Sequence, residues 1–180
     1  MYLLNTDRLQ LRKLTDSDDD ARFTLALMND PDFHRYIGDR GVRTVEDARS
    51  YLQRGPIAMY CEHGFGMLRV ELKDGTPIGQ CGLLKRDGLD DVDIGFAFLP
   101  EHRGRGYALE AAQGVMQWGE SELGLTRIVA IATPDNRASL GLLERLGLRR
   151  ERMIRLPGGT ENLILMGWDA GRTTTPACCR

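Results

Sequence analysis

From Leu3 to Leu14 apolar and polar positions alternate through Leu9 and Leu11, with Leu14 out of phase, as in a half-buried strand. Thr15 to Asp20 supplies several capping oxygens, and Phe23, Ala26 and Leu27 recur at helical spacing until Asp30-Pro31 breaks the run. A loop holding Tyr36 and Gly38 follows, and Thr44 with Asp47 three residues on starts a second, short helix that reaches Leu52 and stops before Gly55-Pro56. Leu68, Val70 and Leu72 then alternate with Arg69, Glu71 and Lys73 up to Asp74-Gly75, a tight-hairpin signal, and Pro77 to Leu84 returns as the antiparallel partner. Val92, Ile94, Phe96 and Phe98 form a clean period of two ending at Pro100, with Asp91, Asp93, Gly95 and Ala97 on the opposite side.

Beyond a glycine-rich turn, Leu109, Ala112, Met116, Gly119 and Leu123 mark one face of a long helix that ends at Gly124. Ile128 to Ala132 is nearly continuous in apolar residues, as expected of a strand covered on both faces. Asp135-Asn136 caps a helix that buries Leu142, Leu143 and Leu146 and ends at Gly147. Leu148 to Leu156 turns at Pro157-Gly158-Gly159 and returns through Leu163, Leu165 and Met166 to Trp168 as a closing hairpin. These elements predict one α+β domain over residues 1–169 and a polar tail over 170–180, with no internal repeat and no linker between two cores.

The 180 residues are 42% hydrophobic and 28% charged, the balance of a globular chain, and no apolar run approaches the roughly 20 residues of a membrane-spanning helix. A formal net charge of −2, with acids and bases interspersed, offers no basic field for a nucleic-acid backbone. Neither nucleic acid nor a membrane is expected as a partner. The N-terminus lacks an export leader, so a cytoplasmic protein is expected. Cys61 and Cys81 lie far apart within apparent strands and Cys178 and Cys179 are adjacent near the end, none with zinc-knuckle or CxxC spacing. His34, His63 and His102 also lack ligand spacing, and no metal is expected.

The chemistry-bearing stretch is Pro100 to Ala111, where a strand ends, two glycines flank one arginine, and a long helix begins. The first N–H groups of a helix have no intrahelical partner and its aligned peptide dipoles are positive at that end, so such a turn is suited to a phosphate. Gly104 and Gly106 remove Cβ atoms that would hold a diphosphate off the main chain, Arg103 and Arg105 add charge, and Ala108 keeps the first turn narrow. A Walker loop would carry Lys and then Ser or Thr after the glycines, where Tyr107-Ala108 stands. A Rossmann fingerprint would lie in the first βαβ unit.

Arg103-Gly104-Arg105-Gly106-Tyr107-Ala108 resembles the pyrophosphate-binding R/Q-x-x-G-x-G/A motif of the GNAT acyltransferases, and the preceding DVDIGFAF resembles that family's fourth strand. The opening Thr6-Asp7-Arg8-Leu9-Gln10-Leu11-Arg12, Asp135-Asn136-Arg137-Ala138-Ser139 and Leu143-Glu144-Arg145-Leu146-Gly147-Leu148 are similar to the branch containing the ribosomal-protein N-terminal acetyltransferases. The resemblance implies a three-layer fold around a mixed, mostly antiparallel sheet of about seven strands, in which the fourth and fifth run parallel and part into a wedge for acetyl-CoA. It implies that the pantetheine arm pairs with main chain freed by a bulge at Phe96, Ala97 and Phe98, that a backbone N–H near Phe98 serves the oxyanion, and that an uncharged amine attacks the thioester directly.

By the same resemblance Asn136 binds pantetheine, and Arg35 and Tyr36 line the acceptor side. Asp93 is the candidate base, with water as the alternative. Many relatives carry a proton-donating tyrosine at the position of Leu143, which cannot donate; Ser139 fits the place of a substitute, as proton donor or only as a contact of the cofactor. The implied activity is acetyl transfer to a primary amine, on a protein N-terminus or a small molecule. A non-catalytic acyl-CoA sensor or scaffold is the alternative, and a homodimer stays open as an assembly.

Overall fold

One mixed sheet positions everything else in this computed structural model, which describes residues 2–171. Its strands are β1 (Leu4–Asn5), β2 (Leu9–Lys13), β3 (Met67–Leu72), β4 (Pro77–Leu84), β5 (Asp93–Phe98), β6 (Arg127–Ala132), β7 (Arg149–Ile154) and β8 (Leu163–Asp169). They lie in the order β1-β2-β3-β4-β5-β6-β8-β7. All neighbours are antiparallel except β5 and β6, which are parallel. Cys178, Cys179 and nearly all of the expected tail fall outside the described residues.

Two helical layers cover the sheet. On one side α5 (Tyr107–Ser121) and α6 (Arg137–Arg145) bury Ala111, Ala112, Val115, Leu140 and Leu143 against Leu68, Leu83, Ile94, Phe98 and Ile128. On the other, α1 (Asp18–Met28), α2 (Pro31–Tyr36) and α3 (Val45–Leu52) enclose a second core of Phe23, Leu27, Phe33, Ala48 and Leu52, against which Met67, Ala97 and Leu99 pack. Successive strand residues face opposite sides, so β5 sends Phe96 and Phe98 into the α5 layer and Ala97 into the α1–α3 layer.

The expected seven strands become eight because Leu3 to Leu14 is not one strand. The chain reverses at Thr6-Asp7, where the Leu9 N–H donates to Thr6 Oγ1 (3.1 Å) and the Thr6 N–H to Leu9 O (3.0 Å), and Leu4 comes opposite Leu11. The second helix does not stop before Gly55-Pro56 either. It runs through a π-helical turn, Gln53–Ile57, into α4 (Ala58–His63), since widening the turn accommodates the ring and missing N–H of Pro56. Cys61 therefore lies exposed on a helix rather than in a strand, and Tyr36 ends a helix rather than sitting in a loop. Arg69 and Glu71, which alternate with the apolar residues of β3, are buried with Asp20 of α1. Arg69 Nη1 lies 2.7 Å from Asp20 Oδ1, Arg69 Nε 2.8 Å from Glu71 Oε1, and Arg12 of β2 grips both Asp20 oxygens at 2.8 and 2.9 Å.

Candidate active site

β5 and β6 meet at one pair of residues, Asp93 opposite Val129, where the Val129 N–H donates to Val92 O (2.9 Å). On the other edge of β5 the Leu99 N–H donates to Ile78 O (3.0 Å) beside β4. Main-chain groups alternate in direction along a strand, so Val92, Ile94, Phe96 and Phe98 present theirs toward β6. Above Asp93 no rung joins the two strands among the described residues, and the groups of Phe96 and Phe98 face the resulting gap. Phe98 O is taken by Arg103 Nε (2.8 Å), which leaves the Phe98 N–H and both main-chain groups of Phe96 toward the gap. The expected bulge is absent: the β4–β5 ladder runs unbroken from Leu84↔Asp93 to Gly79↔Phe98, and divergence of β6 frees the main chain instead.

The glycine-rich turn stands at the open end of this gap. Arg103, Gly104, Arg105 and Gly106 are exposed. Gly104 (φ 71°) and Gly106 (φ 80°) hold the left-handed conformation that side chains disfavour, and Gly106 is the N-cap of α5 with no side chain capping the helix. The first-turn N–H groups thus point outward without a capping oxygen, as an anion requires. Arg103 behaves differently from expectation. Its N–H is used within the turn by Pro100 O (3.2 Å), and its guanidinium binds Asp32 (2.6 Å), Asp30 (2.5 Å) and Phe98 O, so its side chain bolts α2 to the end of β5.

Two residues whose part in the turn the sequence did not reveal buttress it. Arg8, in the turn between β1 and β2, donates to Arg105 O (3.0 Å) and to Glu110 Oε2 (2.6 Å), and its guanidinium lies 4.7 Å from the centre of the Tyr107 ring. Glu110 also accepts from Thr6 Oγ1 (2.6 Å) and the Arg8 N–H (2.8 Å). Burial raises the Glu110 pKa, but these hydrogen bonds outweigh it and hold the carboxylate below its usual range.

Across the gap, Asn136 caps α6 by accepting the Ser139 N–H at Oδ1 (3.1 Å), which keeps Ser139 in the first turn with its hydroxyl outside the cap. Leu143 is buried in the core one turn on. Arg35 Nη2 reaches Asp135 Oδ2 (3.1 Å) while its guanidinium stacks 4.8 Å over Tyr36, so α2 spans from the end of β5, through Arg103, to the start of α6. The two residues expected on the acceptor side are thus tied, through Arg35, to Asp135, the residue before the Asn136 cap.

Asp93 shares the face of β5 that carries Ala97, toward the α1–α3 layer, and is 1% exposed. Its Oδ2 accepts from Arg86 Nε (3.2 Å), while Oδ1 is buried without a partner among the described residues. Burial raises its pKa, and the Arg86 charge and hydrogen bond lower it only in part. Tyr51 of α3 lies near enough to Arg86 and Arg40 for both charges to act on its phenol, whose pKa burial raises. Among the described residues no group of three or more His, Cys, Asp or Glu side chains is arranged to hold a metal ion, and no helix is long and apolar enough to cross a membrane.

The acetyltransferase (GNAT) domain family matches residues 8–149. Bacillus subtilis YoaA, described as an uncharacterised N-acetyltransferase, is 35% identical over 157 residues, 85% of this chain and 86% of YoaA. A GNAT-family acetyltransferase from Bacillus anthracis superposes with a TM-score of 0.75 at 28% identity, covering 94% of this chain and 98% of that one. RimL, a ribosomal L7/L12 α-N-protein acetyltransferase solved with coenzyme A, shares the fold at a TM-score of 0.79 and 18% identity over 94% of this chain and 98% of its own. The parted strands, the uncapped glycine turn and these matches agree: the chain belongs to the GNAT family and is an N-acetyltransferase that takes its acetyl group from acetyl-CoA.

Proposed function

We propose that this enzyme acetylates a primary amine, with the pantetheine arm of acetyl-CoA lying in the gap between β5 and β6 and the diphosphate on the turn from Gly104 to Ala108. The carrying observation is that β6 leaves β5 after Asp93 while an uncapped helix start stands at the open end. A thiol-bearing arm needs main-chain partners, which Phe96 and Phe98 supply while Ala97 anchors the strand to the second core. Gly104, Gly106 and the N–H groups of Tyr107 and Ala108 take the diphosphate, and Arg105 adds a charge at the rim. Arg103 contributes by holding the turn against α2 and β5.

The Phe98 N–H faces the gap and donates to the oxygen that becomes negative as the amine adds, a preorganised donor of a kind that contributes about 10²- to 10³-fold in rate. Asp93, buried on the face of β5 toward the α1–α3 layer and five strand residues from Phe98, takes the amine proton through water. Asn136 binds the pantetheine amide with the part of its side chain not used by the cap, and Ser139 gives its hydroxyl proton or a hydrogen bond to the leaving sulfur. Arg35 and Tyr36, held beside Asp135, line the acceptor entrance.

Both a protein N-terminus and a small-molecule amine meet these requirements; the likeness to RimL is one of fold. The thiols of Cys61 and Cys81, unpaired among the described residues, and the use of acetyl-CoA favour a cytoplasmic location. The test is thiol release from acetyl-CoA with a panel of polyamines, amino acids and peptides with free N-termini. Amine-dependent release supports the reading and names the acceptor class. Tight acetyl-CoA binding with no release beyond hydrolysis across the panel would identify a sensor or scaffold instead.

A further inference from the structure

We infer that Arg8 is a positioning residue for the diphosphate turn, acting through Arg105 and Tyr107 and cancelling the charge of Glu110, so that the β1–β2 reversal is part of the coenzyme site. This rests on the reading that the turn holds a diphosphate. The guanidinium has three engagements at once: Nε on Glu110 Oε2, Nη1 on the Arg105 carbonyl, and its face over Tyr107. The third nitrogen, Nη2, lies on the Gly106 side, 3.3 Å from where a Cβ on that residue would stand. One side chain thus fixes residues 105, 106 and 107, the part of the backbone where the chain changes from left-handed turn to helix.

Charge makes the arrangement more than a strut. Glu110 lies one turn into α5, where a carboxylate competes with a bound anion for the same positive helix end. Its hydrogen bonds keep it ionised, so it would repel a diphosphate unless a cation covered it. Arg8 is that cation. The Glu110 carboxylate in turn orders Arg8, accepting its side chain and its main-chain N–H, while Thr6 donates to the same oxygen. The pair gives the turn its shape and leaves it without net negative charge.

The experiment compares two donors, acetyl-CoA and S-acetylpantetheine, which lacks the diphosphate, through the ratio of their kcat/KM values. In Arg8→Ala that ratio should fall roughly 5- to 30-fold, the factor for one to two kcal/mol of lost anion stabilisation, mainly through KM for acetyl-CoA. Arg8→Lys, which keeps the charge but not the planar fork, should recover part of it. Arg8→Ala with Glu110→Gln should bind acetyl-CoA more tightly than Arg8→Ala alone, because the uncovered charge is gone. If Arg8→Ala lowers both donors equally, Arg8 serves only the fold and the inference is overturned. If the unmodified enzyme shows no preference for acetyl-CoA over S-acetylpantetheine, the diphosphate reading itself fails.

Discussion

Asp93 pairs with Val129 where β5 and β6 touch, and it is at this point that the sheet begins to open. The same residue therefore has its main chain at the closed end of the gap and its carboxylate, 1% exposed, on the face of β5 toward the α1–α3 layer. Its partner Arg86 occupies one oxygen and leaves the other buried and unpartnered. A base placed there is set back, along the strand, from the main-chain groups of Phe96 and Phe98 proposed to hold the coenzyme arm.

Replacing Asp93 by Asn should therefore lower kcat by roughly 10²- to 10⁴-fold, the usual contribution of a positioned general base, with a smaller effect on KM for acetyl-CoA. The pH dependence follows from the raised pKa. A base works ionised, so kcat/KM should rise with pH through a limb lying above the ordinary carboxylate value of about 4, and Asp93→Asn should lose that limb. A variant that keeps both the unmodified rate and the limb removes Asp93 from the mechanism.

Most of the architecture was legible because it rests on local signals. The period of two in β3 to β5, the Asp74-Gly75 hairpin and the Asn136 cap each act within a few residues. What escaped depends on partners far along the chain or on exceptions to local rules. Arg8 and Glu110 are 102 residues apart, and nothing in either segment announces the other. Pro56 reads as a helix break unless a π-helical turn is foreseen, and Thr6-Asp7 reverses the chain without the glycine that usually signals it. Alternation in β3 also cannot tell a solvated charged face from one covered by α1, so the burial of Arg69 and Glu71 was invisible.

Gly106 tests the cradle by conformation as well as charge. Its φ of 80° strains any side chain, and a Cβ would come 3.3 Å from Arg8 Nη2. Gly106→Ala should weaken coenzyme A binding by up to about 1–3 kcal/mol, because the free turn relaxes out of the strained conformation that the bound turn must regain, and Gly106→Glu by at least a further tenfold, because it sets a negative charge at the helix start. Titration calorimetry with coenzyme A reads both. Equal affinities for the Ala and Glu variants would mean that no anion lies there.

Ser139 can be examined without damage to its helix, because Asn136 caps α6 through the Ser139 N–H and not the hydroxyl. Ser139→Ala should leave the unfolding free energy within about 0.5 kcal/mol and lower kcat more than it raises KM for acetyl-CoA. Asn136→Ala should lose about 1 kcal/mol of stability with the cap and also raise KM. Unchanged turnover for Ser139→Ala across the pH range would leave the leaving thiolate to be protonated by water.

Asp20 governs acid stability rather than chemistry. Burial raises its pKa, but hydrogen bonds from Arg12, from the main chain and hydroxyl of Thr15, and from Arg69 prevail and lower it to about 2. The unfolded value is about 3.9, so the folded state binds the proton less tightly than the unfolded one. Its contribution, about 2 kcal/mol, is therefore present in full above pH 4 or so and is lost as pH falls from there toward 2. Denaturant titrations between pH 6 and pH 2 should show this loss. Asp20→Asn should flatten it and lower stability at neutral pH by up to about 3–5 kcal/mol, since Arg12 and Arg69 keep their charges and lose one of the two carboxylates they share, Glu71 being the other. An acid slope in Asp20→Asn equal to that of the unmodified protein would move the origin of the acid sensitivity to other carboxylates.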